Sequence, residues 1–259
     1  MKLRMWQVDA FTDHRFSGNP AAVVPLDAWL SDSVMQNIAA ENNLSETAFF
    51  VAENGGYHLR WFTPAMEVPL CGHATLASAA VVFAHLQTEA RTITFHSKSG
   101  PLVVAREGDK YALDFPEYAC DRIDVPRLLS EALGAAPAEA WLGPKMLAVF
   151  ASAAQVKALQ PDFRKIAAIG AFGVIATAPG DDCDFVSRYF VPQGGVDEDP
   201  VTGSAHCQLT PYWAKRLNQP QMFARQVSAR GGELWVEHLP PRVRIAGHAV
   251  EYMSGTIEI

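Results

Sequence analysis

One short segment occurs twice in the chain, half a chain length apart, and no other feature limits the possible folds as much. Arg60-Trp61-Phe62-Thr63-Pro64 returns as Arg188-Tyr189-Phe190-Val191-Pro192, an offset of 128 in 259 residues. Each copy is aromatic, β-prone and stopped by proline, as expected of a strand end. The following residues also correspond. The first copy runs through Glu67-Val68-Pro69-Leu70-Cys71-Gly72-His73-Ala74 into a helical stretch ending near Leu86. The second runs through Asp197-Glu198-Asp199-Pro200-Val201-Thr202-Gly203-Ser204-Ala205 into one ending near Leu217. Gly72 aligns with Gly203 once three extra residues are allowed in the second copy. Identities in a short segment are weak alone, but a matched strand–loop–Gly–helix order at this offset points to a unit used twice.

Composition sets the surroundings. About half the residues (49%) are hydrophobic and 19% are charged, enough apolar material for one large core or two smaller ones. The net charge is −7 with no run of Lys or Arg, which argues against a nucleic-acid partner. The sequence from Met1 reaches Asp9 before an apolar leader could form, and no apolar stretch has the ~18 residues that a membrane span needs. Ala74 to Leu86 comes nearest, and Thr75, Ser78 and His85 interrupt it, so a buried helix is expected. Cys71, Cys120, Cys183 and Cys207 are scattered with no C-x-x-C pair, which suggests neither zinc site nor disulfide framework. Reduced thiols in a cytoplasm follow as the expectation.

Hydrophobic periodicity predicts strands near 3–10, 20–25, 47–53 and 57–62, a helix near 31–42 with N-cap oxygens at Ser31-Asp32-Ser33, and a helix at 72–86. Strands near 92–97, 101–106 and 111–115 complete a first half. The second half is predicted as a helix near 126–133, a strand near 145–151, a helix near 155–168 and strands near 173–177 and 184–190. A helix at 203–217 and strands near 222–229, 233–237, 242–246 and 250–258 finish it. The expected class is therefore α+β: a barrel-like domain with one long central helix, used twice.

Several residues invite a chemical reading. Gly72 and Gly203 each open a helix, where unpaired amides and the positive end of the dipole suit a carboxylate, although two ordinary helix starts would look the same. Glu46 stands at the mouth of the apolar strand Thr47-Ala48-Phe49-Phe50, placed either for general-base work or as a solvated strand end. His73 lies in the first turn of its helix, where the dipole disfavours imidazolium, and reads either as a neutral hydrogen-bond donor or as a capping or packing histidine. Asp199 before Pro200, followed by Thr202-Gly203-Ser204, reads most simply as a turn and a helix cap. No G-x-S-x-G elbow is present and no metal-ligand spacing is seen, His206-Cys207 reading as a buried helix pair.

Five segments, in order, resemble the PhzF-like family of phenazine biosynthesis. They are Phe16-Ser17-Gly18-Asn19-Pro20-Ala21, Ser45-Glu46-Thr47-Ala48-Phe49, Pro69-Leu70-Cys71-Gly72-His73-Ala74-Thr75, Asp199-Pro200-Val201-Thr202-Gly203-Ser204-Ala205 and Gln226-Val227-Ser228-Ala229-Arg230-Gly231-Gly232. The resemblance implies a duplicated diaminopimelate-epimerase-like fold, with two similar halves, each a barrel-like sheet around a central helix, and the active site in the cleft between them. It sets the halves at 1–118 and 119–259, with the C-terminal strand allowed to cross to the first. It implies an isomerase that moves a proton on a small anionic, carboxylate-bearing substrate, with no cofactor and no metal, and a homodimer as the assembly. Glu46 matches the residue that removes and returns the proton, and His73, Asp199 and Ser204 match its catalytic partners. Asn19, Gly72, Gly203, Ser228, Arg230 and Gly231 match substrate-binding positions.

The sequence departs from one pattern of this fold. Cofactor-independent epimerases place a cysteine at each helix start. Cys71 stands at the first such position and Thr202 at the second, so a two-thiol racemase is disfavoured and Cys71 is expected to be a packing residue. An epimerase that uses Glu46 and Asp199 in place of thiols, and an idle binding protein on the same fold, are the alternatives.

Overall fold

β-branched and aromatic runs form strands, and the alanine-rich stretch forms a helix, in the computed structural model, which describes residues 1–259. The chain divides into two units. One comprises Met1–Asp114 with Ala246–Ile259, and the other Phe115–Ile245, so the division falls a little before the expected 118/119 boundary.

The first unit contains β1 (Lys2–Ala10), β2 (Asn19–Leu26), α1 (Asp32–Asn42), β3 (Glu46–Glu53), β4 (Gly56–Phe62) and β5 (Glu67–Val68). It continues with α2 (Gly72–Val81), β6 (Thr92–Ser97), β7 (Gly100–Glu107) and β8 (Lys110–Pro116), and the C-terminal strand Ala249–Glu258 pairs antiparallel with β1. β2 lies antiparallel to β1 and parallel to β3; β4 is antiparallel to β3 and β5 and parallel to β6. Every residue of α2 is buried, and the helix packs on β1, β2 and β3. A helix enclosed on all faces must be apolar all round and slender, which the alanines supply. Its two inner hydroxyls are satisfied locally, Thr75 Oγ1 donating to Cys71 O and Ser78 Oγ to Ala74 O at 2.7 Å. Beyond Val81 the helix widens into a π-turn, Val82–Leu86, where Gln87 N–H reaches Val82 O. On the outer face α1, capped by Ser31 and ended by Asn43 in the left-handed region, lays Met35, Ile38 and Ala39 on Val24, Phe49 and Phe62.

The second unit contains β9 (Asp121–Ile123), α3 (Arg127–Leu133), β10 (Glu139–Leu142), β11 (Met146–Val149), α4 (Ala153–Ala158), α5 (Phe163–Ala168) and β12 (Val174–Pro179). β13 (Phe185–Val191), β14 (Val196–Asp199), α6 (Gly203–Leu217), β15 (Gln221–Gln226), β16 (Gly232–Leu239) and β17 (Arg242–Gly247) complete it. Its pairing repeats the first. β11 runs parallel to β12; β13 is antiparallel to β12 and β14 and parallel to β15. The order β2-β3-β4-β6 thus returns as β11-β12-β13-β15, and α6 occupies the place of α2. Pro211 inside α6 has no N–H for Cys207 O, and Tyr118 N–H donates to that carbonyl instead at 2.9 Å.

The repeated arginine has a repeated task. Arg60 grips Glu67 with two parallel bonds (Nε–Oε1 2.8 Å, Nη2–Oε2 2.9 Å), and Arg188 grips Glu198 in the same way (2.8 and 2.7 Å). Each guanidinium also lies over the phenylalanine two residues on, Phe62 or Phe190. The predicted helix at 155–168 is two helices, because Pro161 biases its predecessor away from helical backbone and Asp162 caps a fresh start through Arg164 N and Lys165 N. No helix is long and apolar enough to cross a membrane.

Candidate active site

In the first unit three segments bring four side chains together. The turn between β1 and β2 requires a left-handed backbone at Gly18 (φ +65°), where a Cβ would collide with Ala10 O. This turn delivers Asn19 to the first position of β2. Glu46 opens the neighbouring parallel strand β3, paired with Ala21. Cys71 and His73 flank the start of α2, whose N-cap position carries no side-chain cap. His73 Nε2 lies 3.0 Å from Glu46 Oε2, while Nδ1 lies 3.1 Å from Asn19 Nδ2 and 3.6 Å from Cys71 Sγ. Neither His73 Nε2 nor Glu46 Oε2 has an aligned hydrogen bond, so charge holds that pair more than direction does. The Glu46 side chain keeps 17% exposure against 4% for His73. Glu46 is therefore the group a ligand can meet, and His73, Cys71 and Asn19 stand behind it.

The ring is not neutral in the way its helix position suggests. Burial works against imidazolium, but Cys71 and Glu46 together outweigh it and hold the His73 pKa well above the ordinary value. Of these two the carboxylate matters at neutral pH, because burial and Glu46 push the Cys71 thiol up to about 11. The expectation of a dipole-neutralised histidine fails for this reason: a carboxylate at 3.0 Å exceeds a helix end. Asn19, expected to touch substrate, is fully buried and braces the ring. Its amide can offer Nδ2 to a neutral Nδ1 or, turned over, Oδ1 to an Nδ1–H. Ligand atoms of Glu46, Cys71 and His73 also lie within 4.8 Å of one another, close enough to hold a soft divalent cation. Sequence spacing gave no sign of that cluster.

In the second unit the corresponding helix start is built differently. Thr202 Oγ1 donates to Asp199 Oδ2, and Gln226 ties the segment together, accepting from Thr202 N at 2.9 Å and donating to Asp199 O at 2.7 Å. Asp199 is thus held in place by a hydroxyl and a buried amide. Ser228 braces a loop, donating to Pro200 O at 2.8 Å and accepting from Gly231 N at 3.1 Å. Gly231 has φ +66°, while Gly203 is buried at the helix start and Ser204 and Arg230 are half-buried. His206 donates from Nδ1 to Thr202 O at 2.8 Å, and burial pushes its pKa down to about 4, which leaves it a neutral core residue. A concavity of about 950 Å³ in this unit is lined by Tyr118, Trp141, Pro211 and Tyr212, and contains none of the site residues.

A model of the phenazine biosynthesis-like protein family, PhzC-PhzF, matches residues 8–255. The chain belongs to this PhzF-like family. An uncharacterized isomerase of Pseudomonas aeruginosa is 52% identical over 261 residues, with all of both chains covered. The crystal structure of a PhzF-family phenazine biosynthesis protein from Enterococcus faecalis superposes with a TM-score of 0.98 at 48% identity, covering 100% of each chain. A hydroxyproline epimerase from Agrobacterium vitis matches at TM-score 0.63 and 10% identity, over 99% of this chain and 92% of that one, which shows shared fold alone. The architecture is the duplicated α+β fold of the diaminopimelate-epimerase type.

Within this PhzF-like chain, the position matching Cys71 carries a threonine whose hydroxyl is engaged by Asp199, so no second thiol faces a substrate from it. Two buried polar residues beside this helix start escaped sequence reasoning. Gln226 was visible only as part of a motif, and Lys145 only as the first residue of the strand predicted near 145–151; its one signal was a lone charge directly before the apolar run 146–150.

Proposed function

We propose that this PhzF-like protein is an isomerase that moves a proton on a small carboxylate-bearing substrate, with Glu46 as the proton carrier. One observation carries the reading: a reachable carboxylate lies 3.0 Å from a histidine that is buried and kept protonation-competent by it. Abstraction of a proton from carbon beside a carboxyl or unsaturated centre builds negative charge on the substrate. As Glu46 takes the proton and loses its own charge, the positive field of His73 becomes available to that developing charge. Amides in the first turn of α2, which no side chain caps, add donors in the same place. No redox group or electrophilic cofactor enters these steps. The names of the curated relatives, uncharacterized isomerases, agree with the class.

The test is incubation in D2O with a panel of unsaturated hydroxy- and amino-carboxylic acids, read by mass and by position of label. Label at a carbon along the conjugated system, with no inversion at Cα, is expected. Label at Cα with inversion would replace the reading by an epimerase, and an unlabelled panel would favour a binding protein.

A further inference from the structure

Lys145, immediately before β11, is a basic side chain with only 7% exposure and neither an ion pair nor a hydrogen bond at its ammonium. Arg60 and Arg188, also largely buried, each hold a glutamate in a two-bond grip. Lys145 instead lies between two aromatic rings, 5.8 Å from the centre of Tyr118 and 5.6 Å from that of Tyr189. Its backbone is fixed on both sides by Gln208, which accepts from Lys145 N at 3.3 Å and donates to Lys145 O at 3.0 Å.

Burying an ammonium costs more than two aromatic faces return. The walls cannot supply more at Tyr189, whose hydroxyl is committed to Phe172 O. Burial pulls the Lys145 pKa down, and Asp199, the anion that opposes this from a distance, has its carboxylate engaged by Thr202. The duplication shows that the scaffold does not need this charge. Thr47 and Val174 face the equivalent phenylalanines Phe62 and Phe190, and pair across to Ala22 and Met146. Lys145 therefore matches Ala21, a fully buried alanine in the first copy.

We propose that Lys145 is the anchoring cation of the second unit for the carboxylate of a small ligand, gripping it between the Tyr118 and Tyr189 rings. The inference rests on the reading above that the ligand is a carboxylic acid. A single ammonium with three donors fits a monoanion; a phosphate would call for more donors than are gathered here.

The experiment is calorimetric titration of the full chain with 2-aminobenzoate and with 2-aminobenzamide, a matched acid and neutral amide, in wild type, Lys145→Met and Lys145→Gln. Wild type is expected to favour the acid at least tenfold, and both variants to bind acid and amide alike while melting no lower than wild type. Survival of the acid preference in the folded variants overturns the proposal. So does a wild type that binds the pair equally or not at all, and so does unfolding of both variants, which would make the charge structural. Because calorimetry needs no turnover, acid preference at Lys145 without deuterium exchange would sink only the isomerase reading, and exchange without acid preference only the Lys145 proposal.

Discussion

The two units share strand order, register, a central helix and an Arg–Glu grip, and differ in what they place around the helix start. Where the first has Glu46 at the head of its strand, the register puts Gly173 in the second, at φ +95°, and a Cβ there would come 2.6 Å from the Tyr189 hydroxyl. Cys71 is answered by Thr202 and His73 by Ser204, while Lys145 replaces Ala21. The shared parts are those that make each barrel fold. The differing parts are ionisable: a carboxylate beside a buried histidine in one copy, a braced aspartate and an unpaired ammonium in the other.

The comparison is sharpened most by His73→Gln, which removes the charge behind Glu46. Turnover is expected to fall by about a hundredfold or more, against a few-fold for Ser204→Ala at the matching place. Equal losses in steady-state assays would mean that the helix starts do not differ as described. The shared scaffold is tested by Arg60→Met and Arg188→Met, each of which leaves a largely buried glutamate alone. Each is expected to cost roughly 2–4 kcal/mol in urea unfolding, a discount on a fully buried pair. A neutral result in either copy would break the equivalence.

A smaller effect concerns acid. The Arg60 hydrogen bonds hold the Glu67 carboxyl down at about 2, from an ordinary 4.5, against the opposing effect of burial. A depressed carboxyl stabilises the fold above its unfolded pKa and loses that contribution as pH falls toward its folded one. Stability from this pair is thus complete above about 4.5 and lost between there and about 2, and unfolding at stepped pH should show that slope reduced in Arg60→Met. The smallest effect is at sulfur. Burial pushes Cys71 up to about 11 and Cys207 to about 12, so thiol reagents should label the half-exposed Cys120 and Cys183 first. Cys71→Ala should change turnover by no more than a few-fold; a large loss would promote the thiol from packing to chemistry.

Much of this was legible in the sequence because periodicity and punctuation are local signals. The strands β1, β3 and β4, the helices α1 and α6, and the offset repeat all follow from patterns within a window. The strands β5, β9, β10 and β14, none longer than four residues, are too short for a period to declare itself, and they exist through their partners. Asp162 after Pro161 was a readable helix start that the longer apolar pattern obscured. The residue types of the site were visible; their relations were not. Glu46 meets His73 because β2 and β3 lie parallel and α2 runs beneath them, a tertiary fact, and the same proximity reverses the charge expected of His73. Lys145 was hidden because a lysine ahead of a strand normally projects into water, and only its surroundings show that this one is enclosed.

The role of Glu46 is tested most directly by deuterium incorporation from D2O into the preferred acid of the panel, by wild type and Glu46→Gln at equal folded concentration. Glu46 as proton carrier requires steady labelling by wild type and a loss of at least about a hundredfold in the variant, with the melting temperature retained. Undiminished labelling by Glu46→Gln would contradict it and move the proton to another group.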